Sequence, residues 1–297
     1  MTSGKALAIG NFDGVHRGHQ AILEAARTFS SGGTVTAVTF WPHPTSVLRP
    51  DQAPALLCRL SERVNLLKAS GADEVSIVEF TRTLAAKTPE EFVEKVLCPL
   101  NPTAVVVGQN FRFGVEAKAD GHQMRAIAQG RFEVEVQPIV VDEGRISSSR
   151  IRALLVQGNV EVAAQMLGRY FRYNGIVVLG DQRGHELGFP TANVTIPERY
   201  ACPADGVYAG FLRCGSETWP AAISVGTNPT FDGEQRRVES YALDRWDLNL
   251  YGEKVGVDFV ARLRGQMRFT SRNELVHQMR NDVAATRKAL EGLTPGV

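Results

Sequence analysis

Strands and helical stretches alternate along the first 167 residues, and this alternation constrains the fold more than any other feature of the chain. Runs rich in β-branched and aromatic residues predict strands, and apolar residues at helical spacing predict helices between them. The predicted strands are 6–10, 34–41, 74–80, 104–108 and 132–141. The predicted helices include 18–27, 62–70, 121–129 and 151–167, the last with an interruption near Gly158. Strands joined through helices build a parallel sheet that is covered on both faces. We therefore predict an α/β domain over residues 1–167.

After residue 167 the pattern changes to short strands without intervening helices. Six segments have strand composition and are separated by Gly, Pro, Asn and Asp: 173–179, 192–196, 207–214, 219–225, 238–243 and 255–262. Regularly spaced short strands of this kind predict a small antiparallel barrel. Ser271 and Glu274 form a capping box before an apolar stripe, which predicts a closing helix packed on the barrel. Residues 168–297 are thus predicted to form a second domain.

The charge balance excludes a dedicated nucleic-acid binder. Lys and Arg number 33 and Asp and Glu number 32, and neither predicted domain has an excess of more than one charge. Because nucleic-acid binding requires a basic face, we expect no nucleic-acid partner. No apolar run reaches the ~18–20 residues of a membrane span, so we expect no membrane association and a cytoplasmic location. The four cysteines form no CxxC pair, which argues against a zinc site or a disulfide scaffold, and the sequence leaves a homo-oligomer open.

A glycine-containing loop with two histidines follows the first predicted strand. Residues 10–19 read GNFDGVHRGH and lead into a helix, whose N-terminus offers free N–H groups and the positive end of the helix dipole. His16 and His19 are one helical turn apart, so both imidazoles can point the same way. Such a site suits the α-phosphate of a nucleotide, whose oxygens gain charge when the phosphorus is attacked. The plainer alternative is a helix-cap turn with two surface histidines.

Three further segments stand out at strand ends and at a helix start. They are TFWPHP (39–44) and VGQNFRFG (107–114), which follow predicted strands, and ISSSRIR (146–152), which opens a helix. The last segment places hydroxyls at a helix start and two arginines two positions apart, a combination that can hold the β- and γ-phosphates of ATP. His43 stands between two prolines. It is either a turn histidine with no role in the reaction or a residue that contacts the substrate.

In the second half, residues 180–193 read GDQRGHELGFPTAN and run from a strand end through a glycine-rich loop. Thr191 and Asn193 are two positions apart, so they share one face of an extended segment. Glu239 lies on the same predicted strand face as Tyr241, where partial burial suits a general base. The plainer reading of Glu239 is a carboxylate on an exposed edge strand that pairs with a neighbouring arginine.

Together these segments resemble the family of bacterial bifunctional riboflavin kinase/FMN adenylyltransferases, often called FAD synthetases, over about residues 6–290. The resemblance implies a Rossmann-like nucleotidyltransferase domain over 1–167 and a β-barrel riboflavin kinase domain over 168–297. The barrel would phosphorylate riboflavin with ATP to FMN, and the first domain would adenylylate FMN with a second ATP to FAD and pyrophosphate. The implied cofactor is Mg²⁺, and the implied partners are the small molecules riboflavin, FMN and ATP.

The resemblance also implies roles for individual residues. His16 and His19 would be catalytic in adenylyl transfer, and Glu239 would be the base of the kinase. The implied nucleotide-binding residues are Gly10, Phe12, Asp13, Gly14, Gly18, Ser148, Ser149, Arg150, Arg152, Gly180, Gly184, Gly188, Thr191 and Asn193, with Thr191 and Asn193 as metal ligands. The implied flavin-binding residues are Asn110, Phe111 and Arg112. The chain departs from the family pattern at Asn110, where many members carry Asp, and at His185, where members often carry Arg.

Two other functions stay open from the sequence. The chain can be a nucleotidyltransferase for a different phosphate acceptor, with a barrel that binds flavin without catalysis. It can also be a flavin-sensing regulator that binds without turnover, although a sensor has no need of a base such as Glu239.

Overall fold

The structure, a computed structural model, describes residues 4–142, 144–179, 187–195, 199–230 and 233–295. The chain divides into two compact units, Met1–Arg150 (unit 1) and Ile151–Val297 (unit 2).

Unit 1 is built on a five-stranded parallel sheet. Its strands are β1 (Lys5–Ile9), β2 (Thr34–Trp41), β3 (Glu74–Glu79), β4 (Ala104–Gly108) and β5 (Glu133–Gln137). The strand order is β3-β2-β1-β4-β5, and every neighbouring pair is parallel. The predicted fold class is therefore confirmed for this unit. β5 is shorter than predicted, because Pro138 has no N–H group to continue the ladder.

The helices of unit 1 cover both faces of the sheet. They are α1 (Arg17–Phe29), α2 (Pro44–Leu48), α3 (Leu60–Ala69), α4 (Arg82–Ala85), α5 (Pro89–Phe92), which a π-helical segment (Val93–Leu97) continues, and α6 (Gly121–Ala128). Alternate residues of β1 belong to two separate cores. Leu7 and Ile9 lie in the core with residues of α5 and α6, and Ala6 and Ala8 lie in the core with residues of α1 and α3. This alternation fixes β1 at the centre of the unit.

The division between the units falls inside the next helix, α7 (Ser148–Gln157). The helical pattern breaks at Gly158, as predicted, and α8 (Val160–Leu167) follows. Gly158 has a φ of +78°, a conformation that favours glycine.

After α8, unit 2 is a closed antiparallel barrel with a helix at the end of the chain. Its strands are β6 (Phe171–Val178), β7 (Ala192–Val194), β8 (Gly206–Cys214), β9 (Glu217–Thr230), β10 (Gly233–Ala242) and β11 (Lys254–Arg264), in the closed order β10-β7-β6-β11-β8-β9. The barrel prediction is confirmed. Directly paired side chains such as Val194 and Val238 fill the interior, and both are fully or almost fully buried.

The closing helix, α9 (Arg272–Leu290), packs on β8, β9 and β11, as predicted. Ser271 caps it by accepting a hydrogen bond from the Glu274 N–H group at 3.2 Å. The buried side of α9 is more polar than an apolar stripe implies, because Asp282 accepts two hydrogen bonds from the Arg264 guanidinium at 2.8 and 2.6 Å. In the described part of the chain, no helix combines the length and apolarity needed to cross a membrane.

Candidate active sites

The carboxyl edge of the sheet in unit 1 gathers the segments that the sequence singled out. The chain runs from β1 outward to β3 on one side and then returns to β4 on the other, so the strand order reverses between β1 and β4. Ligands of open α/β sheets bind at such a reversal, outside the carboxyl ends of the strands. The loop of residues 10–18, here called the glycine loop, follows β1, and residues 109–114 follow β4. Gly10 joins the loop to the sheet, since its N–H group donates to the Val38 carbonyl at 3.1 Å.

The two histidines of the glycine loop lie against each other. His16 is the N-cap of α1, and its Nδ1 accepts a hydrogen bond from the His19 N–H group at 3.3 Å. The two imidazoles stack with ring centroids 3.6 Å apart and an angle of 16° between the planes, so both rings face the same way, as their spacing predicts. Gly18 leaves room for this arrangement, because a Cβ there would lie 3.2 Å from the His16 ring. Phe12 packs edge-on against His19, with 5.2 Å between ring centroids.

The underside of the glycine loop is buried. Phe12 and Asp13 are 0% and 1% exposed as whole residues, so they shape the loop from below. Both Asp13 carboxylate oxygens accept from the Leu57 N–H group, at 3.0 and 3.2 Å. Gly14 has a φ of +80° and donates its N–H to the Cys58 sulfur at 3.2 Å. Burial, followed by the nearby Asp13 carboxylate, raises the pKa of Cys58 to about 11, so the thiol keeps its proton and can donate to Asp13 Oδ1 at 3.9 Å.

The start of α7 adjoins the glycine loop. The sequence suggests that the two segments are close only because both carry groups suited to phosphates. The Ser148 hydroxyl donates to the Asp13 carbonyl at 2.9 Å, and the Ser147 hydroxyl accepts from the Arg150 N–H group at 3.3 Å, as a helix cap does. The helix thus carries the four residues predicted to hold phosphates: Ser148, Ser149, Arg150 and Arg152.

The predicted flavin-binding residues directly follow β4. Asn110 is exposed, and the half-buried Phe111 ring stacks on Phe113 with centroids 5.9 Å apart. Arg112 donates from Nη1 to the Phe111 carbonyl at 2.9 Å. His43, after β2, caps α2 by accepting from the Thr45 N–H group at 3.2 Å.

Sequence reasoning missed a buried arginine in this unit. Arg63 on α3 is 0% exposed and lies beside Asp13, beneath the glycine loop. Its position in the run LSERVNLL gives no sign of burial, since an arginine in a helix is normally a solvated surface residue.

In unit 2, Glu239 and Asn193 are direct neighbours across two strands. β10 pairs with both β7 and β9, so Glu239 is not on an edge strand, and that part of the alternative reading is wrong. Within the ladder Glu239 stands opposite Asn193 on β7 and opposite Ser224 on β9. Directly paired residues point to the same side of a sheet, with Cβ atoms about 5 Å apart. Glu239 is half-buried, whereas its strand neighbours Val238 and Ser240 face the barrel interior.

The segment before β7 is anchored on the same outer face. The Phe189 ring packs edge-on against Tyr241, two residues after Glu239, with ring centroids 5.4 Å apart. Thr191 is half-buried and Asn193 is 8% exposed. Gly188 has a φ of +82°, which favours glycine at that position. Of the predicted nucleotide-binding residues, Gly180 and Gly184 lie outside the described residues, as does His185.

The donor set of this face suits magnesium only if a nucleotide shares the ion. Over the described ranges, no cluster of three His, Cys, Asp or Glu side chains is placed to hold a metal. Thr191 and Asn193 offer a hydroxyl and an amide oxygen, which are hard, uncharged ligands. Mg²⁺ is commonly bound by few protein oxygens together with phosphates and waters, and these residues fit that type of site.

Comparison with known proteins finds relatives for both units. The family model for FAD synthetase matches residues 1–150, and that for riboflavin kinase matches residues 167–290. A bifunctional riboflavin kinase/FMN adenylyltransferase of Escherichia coli (strain K12) is 36% identical over 297 residues, which cover 98% of this chain and 94% of the relative. The protein of the same description from Bacillus subtilis (strain 168) is 32% identical over 282 residues, 93% of this chain and 89% of the relative.

A solved structure also resembles this chain over nearly its full length. It is described as the crystal structure of a macrolide-efflux protein from Streptococcus pneumoniae, and it matches with a TM-score of 0.89 and 33% sequence identity. The match covers 97% of this chain and 95% of that chain.

Proposed function

Because the chain belongs to the family of bifunctional riboflavin kinase/FMN adenylyltransferases, we propose that it makes FMN in its C-terminal domain and FAD in its N-terminal domain. Residues 168–297 transfer the γ-phosphoryl group of ATP to riboflavin, giving FMN and ADP. Residues 1–167 transfer AMP from a second ATP to FMN, giving FAD and pyrophosphate. Since ATP is the common substrate, we place the enzyme in the cytoplasm.

Glu239 is the general base of the kinase step. It takes the proton from the riboflavin hydroxyl that attacks the γ-phosphorus, and the bond between that phosphorus and the β,γ-bridging oxygen breaks. The strand that carries Glu239, β10, is paired on both sides within the closed barrel, so the carboxylate is held on a rigid outer surface. Asn193, directly opposite, and Thr191 bring the nucleotide to the same face. Magnesium, held by Thr191 and Asn193 together with the nucleotide, supplies positive charge that offsets the phosphates.

The stacked histidines serve the adenylyl transfer. A phosphate oxygen of FMN attacks the α-phosphorus of ATP, and the bond from that phosphorus to the pyrophosphate oxygen breaks. Charge grows on the α-phosphate oxygens during this step, and donors fixed in advance stabilise it. His16 and His19 face one way from a helix N-terminus, where the dipole adds to their effect. Ser148, Ser149, Arg150 and Arg152 hold the leaving pyrophosphate. Gly10 and Gly18 let the nucleotide approach the glycine loop, and Phe12, Asp13 and Gly14 give that loop its shape.

The acceptor FMN binds beside β4 in this scheme. Phe111 offers a ring for stacking on the flavin, and the exposed Asn110 amide is able to donate to its edge. Arg112 places a cation near the FMN phosphate, from the segment that follows β4, the strand next to β1.

The observation that carries the proposal is the pairing of Glu239 with Asn193 on the outer face of the barrel. A barrel that only binds flavin needs no carboxylate beside the nucleotide residues, so the pairing disfavours both the different-acceptor enzyme and the sensor. The matches of both family models also disfavour these alternatives.

The test is a time course with riboflavin, ATP and Mg²⁺, in which the flavins are separated by chromatography. FMN should appear first and FAD should follow at its expense, and a second reaction started from FMN should give FAD directly. A third reaction with a chelator in place of Mg²⁺ should leave riboflavin unchanged. FAD formation from FMN without any FMN formation from riboflavin would instead favour the non-catalytic barrel.

A further inference from the structure

Arg63 is a charged residue in a place where charges are normally absent. Its side chain on α3 is 0% exposed, and it is the largest of the fully buried side chains among the described residues. Arginine is almost never fully buried without paired charges and satisfied donors. Here the guanidinium is only partly satisfied, since Nε and Nη2 have no hydrogen-bond partner within the described part of the chain. A retained, incompletely satisfied charge of this kind calls for an explanation other than stability.

The guanidinium reaches four neighbours at the carboxyl edge of the sheet. Nη1 donates to the Thr39 hydroxyl and to the Phe40 carbonyl, both at 3.3 Å. Nη2 lies 3.7 Å from Asp13 Oδ1, an ion pair in which both side chains are buried. The guanidinium carbon also lies 5.7 Å from the centre of the Trp41 ring. Arg63 therefore connects the end of β2 with the underside of the glycine loop.

The connection to the glycine loop is made at two separate points. One is the Asp13 carboxylate. The other is a relay, in which Arg63 donates to the Thr39 hydroxyl and that hydroxyl donates to the Asn11 carbonyl at 3.0 Å. Asn11 and Asp13 lie before the stacked histidines in the chain, so both contacts act on the backbone that leads to His16.

We propose that Arg63 is a positioning residue of the adenylyltransferase site, which holds the glycine loop through Asp13 and through the Thr39 relay to Asn11. A planar guanidinium can bind two partners at once in fixed directions, whereas a lysine ammonium at the same place meets only one of them well. Arg63 contacts neither nucleotide nor flavin in this role. It sets where His16, His19 and the loop N–H groups lie relative to the α-phosphate. This inference rests on the proposed adenylyl transfer by unit 1.

The expected effect follows from the geometry of group transfer. Displacing catalytic groups by about 1 Å can cost roughly 100-fold in rate, even when the change is made away from the chemistry. Loss of one of the two contacts should therefore lower kcat/KM for FAD formation by roughly tenfold to 100-fold. The loss should fall on kcat more than on the KM for FMN, because the acceptor residues follow β4 and not β1.

The experiment uses the full chain and compares four variants with the wild type. Arg63→Lys keeps the positive charge but removes the planar guanidinium, whose N–H groups point to two partners at once. Thr39→Val removes the relay hydroxyl with little change of volume and leaves Arg63 in place, and Thr39→Ser restores the hydroxyl. Arg27→Met is the matched control, because Arg27 also bridges elements of unit 1 through Gly33, Gly71 and Asp73 but lies in the last turn of α1, away from the glycine loop.

Each variant is assayed for FMN-to-FAD conversion, for riboflavin-to-FMN conversion and for its thermal unfolding midpoint. Arg63→Lys and Thr39→Val should lose FAD formation as stated. Thr39→Ser and Arg27→Met should stay within about threefold of the wild-type rate, and FMN formation should be unchanged in all four variants.

Wild-type FAD formation by both Arg63→Lys and Thr39→Val would overturn the proposal. The proposal would also be overturned if Arg27→Met and Arg63→Lys lowered the unfolding midpoint equally and reduced FAD formation equally. If Arg63→Lys does not fold, the comparison of FAD formation between Thr39→Val and Thr39→Ser decides the question. A wild-type protein that makes no FAD refutes the proposed function, a result distinct from any difference among variants.

Discussion

Replacing Glu239 by glutamine separates the two activities with a change of one functional group. Glutamine has the same size as glutamate, so the packing beside Tyr241 and opposite Asn193 is kept. The amide cannot take a proton from the riboflavin hydroxyl. A positioned general base contributes about 10²–10⁴-fold, which corresponds to about 2.7–5.5 kcal/mol of activation free energy. FMN formation should therefore fall by that factor.

FAD formation from supplied FMN should not change in this variant, because the stacked histidines and the glycine loop lie in unit 1. The assay follows riboflavin, FMN and FAD by chromatography in two reactions, one started from riboflavin and one from FMN. Glu217→Gln is the matched control, since Glu217 is an exposed carboxylate at the start of the neighbouring β9. The reasoning is refuted if Glu239→Gln phosphorylates riboflavin as fast as Glu217→Gln does, or if both activities of Glu239→Gln fall together.

Three further predictions concern groups in either unit. The double variant His16→Asn, His19→Gln keeps a side chain that can cap α1 but removes both imidazoles. It should reduce FAD formation by about 10²-fold or more while FMN accumulates. FAD synthesis at the wild-type rate would reject the role of the imidazoles. Ser240→Ala should raise the free energy of unfolding of unit 2 by up to about 1 kcal/mol in denaturant titrations, because the buried Ser240 hydroxyl has no hydrogen-bond partner among the residues described, and a clear decrease would contradict this. Burial raises the pKa of Cys58 from its ordinary value of 9.0 to about 11, so the folded state keeps a proton that the unfolded chain loses. The free energy of unfolding of unit 1 should therefore fall by about 1.4 kcal/mol per pH unit between pH 9 and 11, and Cys58→Ala should abolish that slope, whereas equal slopes in both proteins would count against it.

The fold was predictable from the sequence because its signals are local. The strand at 34–41 and the strand at 104–108 are confirmed at the predicted bounds, since β-branched runs between helical segments have no competing structure. Local signals also set the break of the helix at Gly158. The end of β5 was missed by four residues, although Pro138 was a readable stop, because the apolar residues after it continue the strand composition.

The sites were predictable only where a motif carries them. The His16 and His19 spacing predicts a common direction for the imidazoles, and the structure stacks the rings. Two positions of separation predict a shared face for Thr191 and Asn193. The pairing of Glu239 with Asn193 was not predictable, because it depends on the register between β7 and β10, and the two residues are 46 positions apart along the chain.

In the proposed adenylyl transfer both faces of the glycine loop take part, and the sequence of the loop itself reveals only one of them. The upper face consists of glycines, imidazoles and main-chain N–H groups, all within residues 10–19, so a motif identifies it. The lower face is held by Thr39, Cys58 and Arg63, which come from a strand, a loop and a helix elsewhere in the chain. A chain that keeps GNFDGVHRGH but loses Arg63 would therefore still match the motif. If the buried guanidinium positions the loop as proposed, such a chain would bind the same substrates and make FAD slowly.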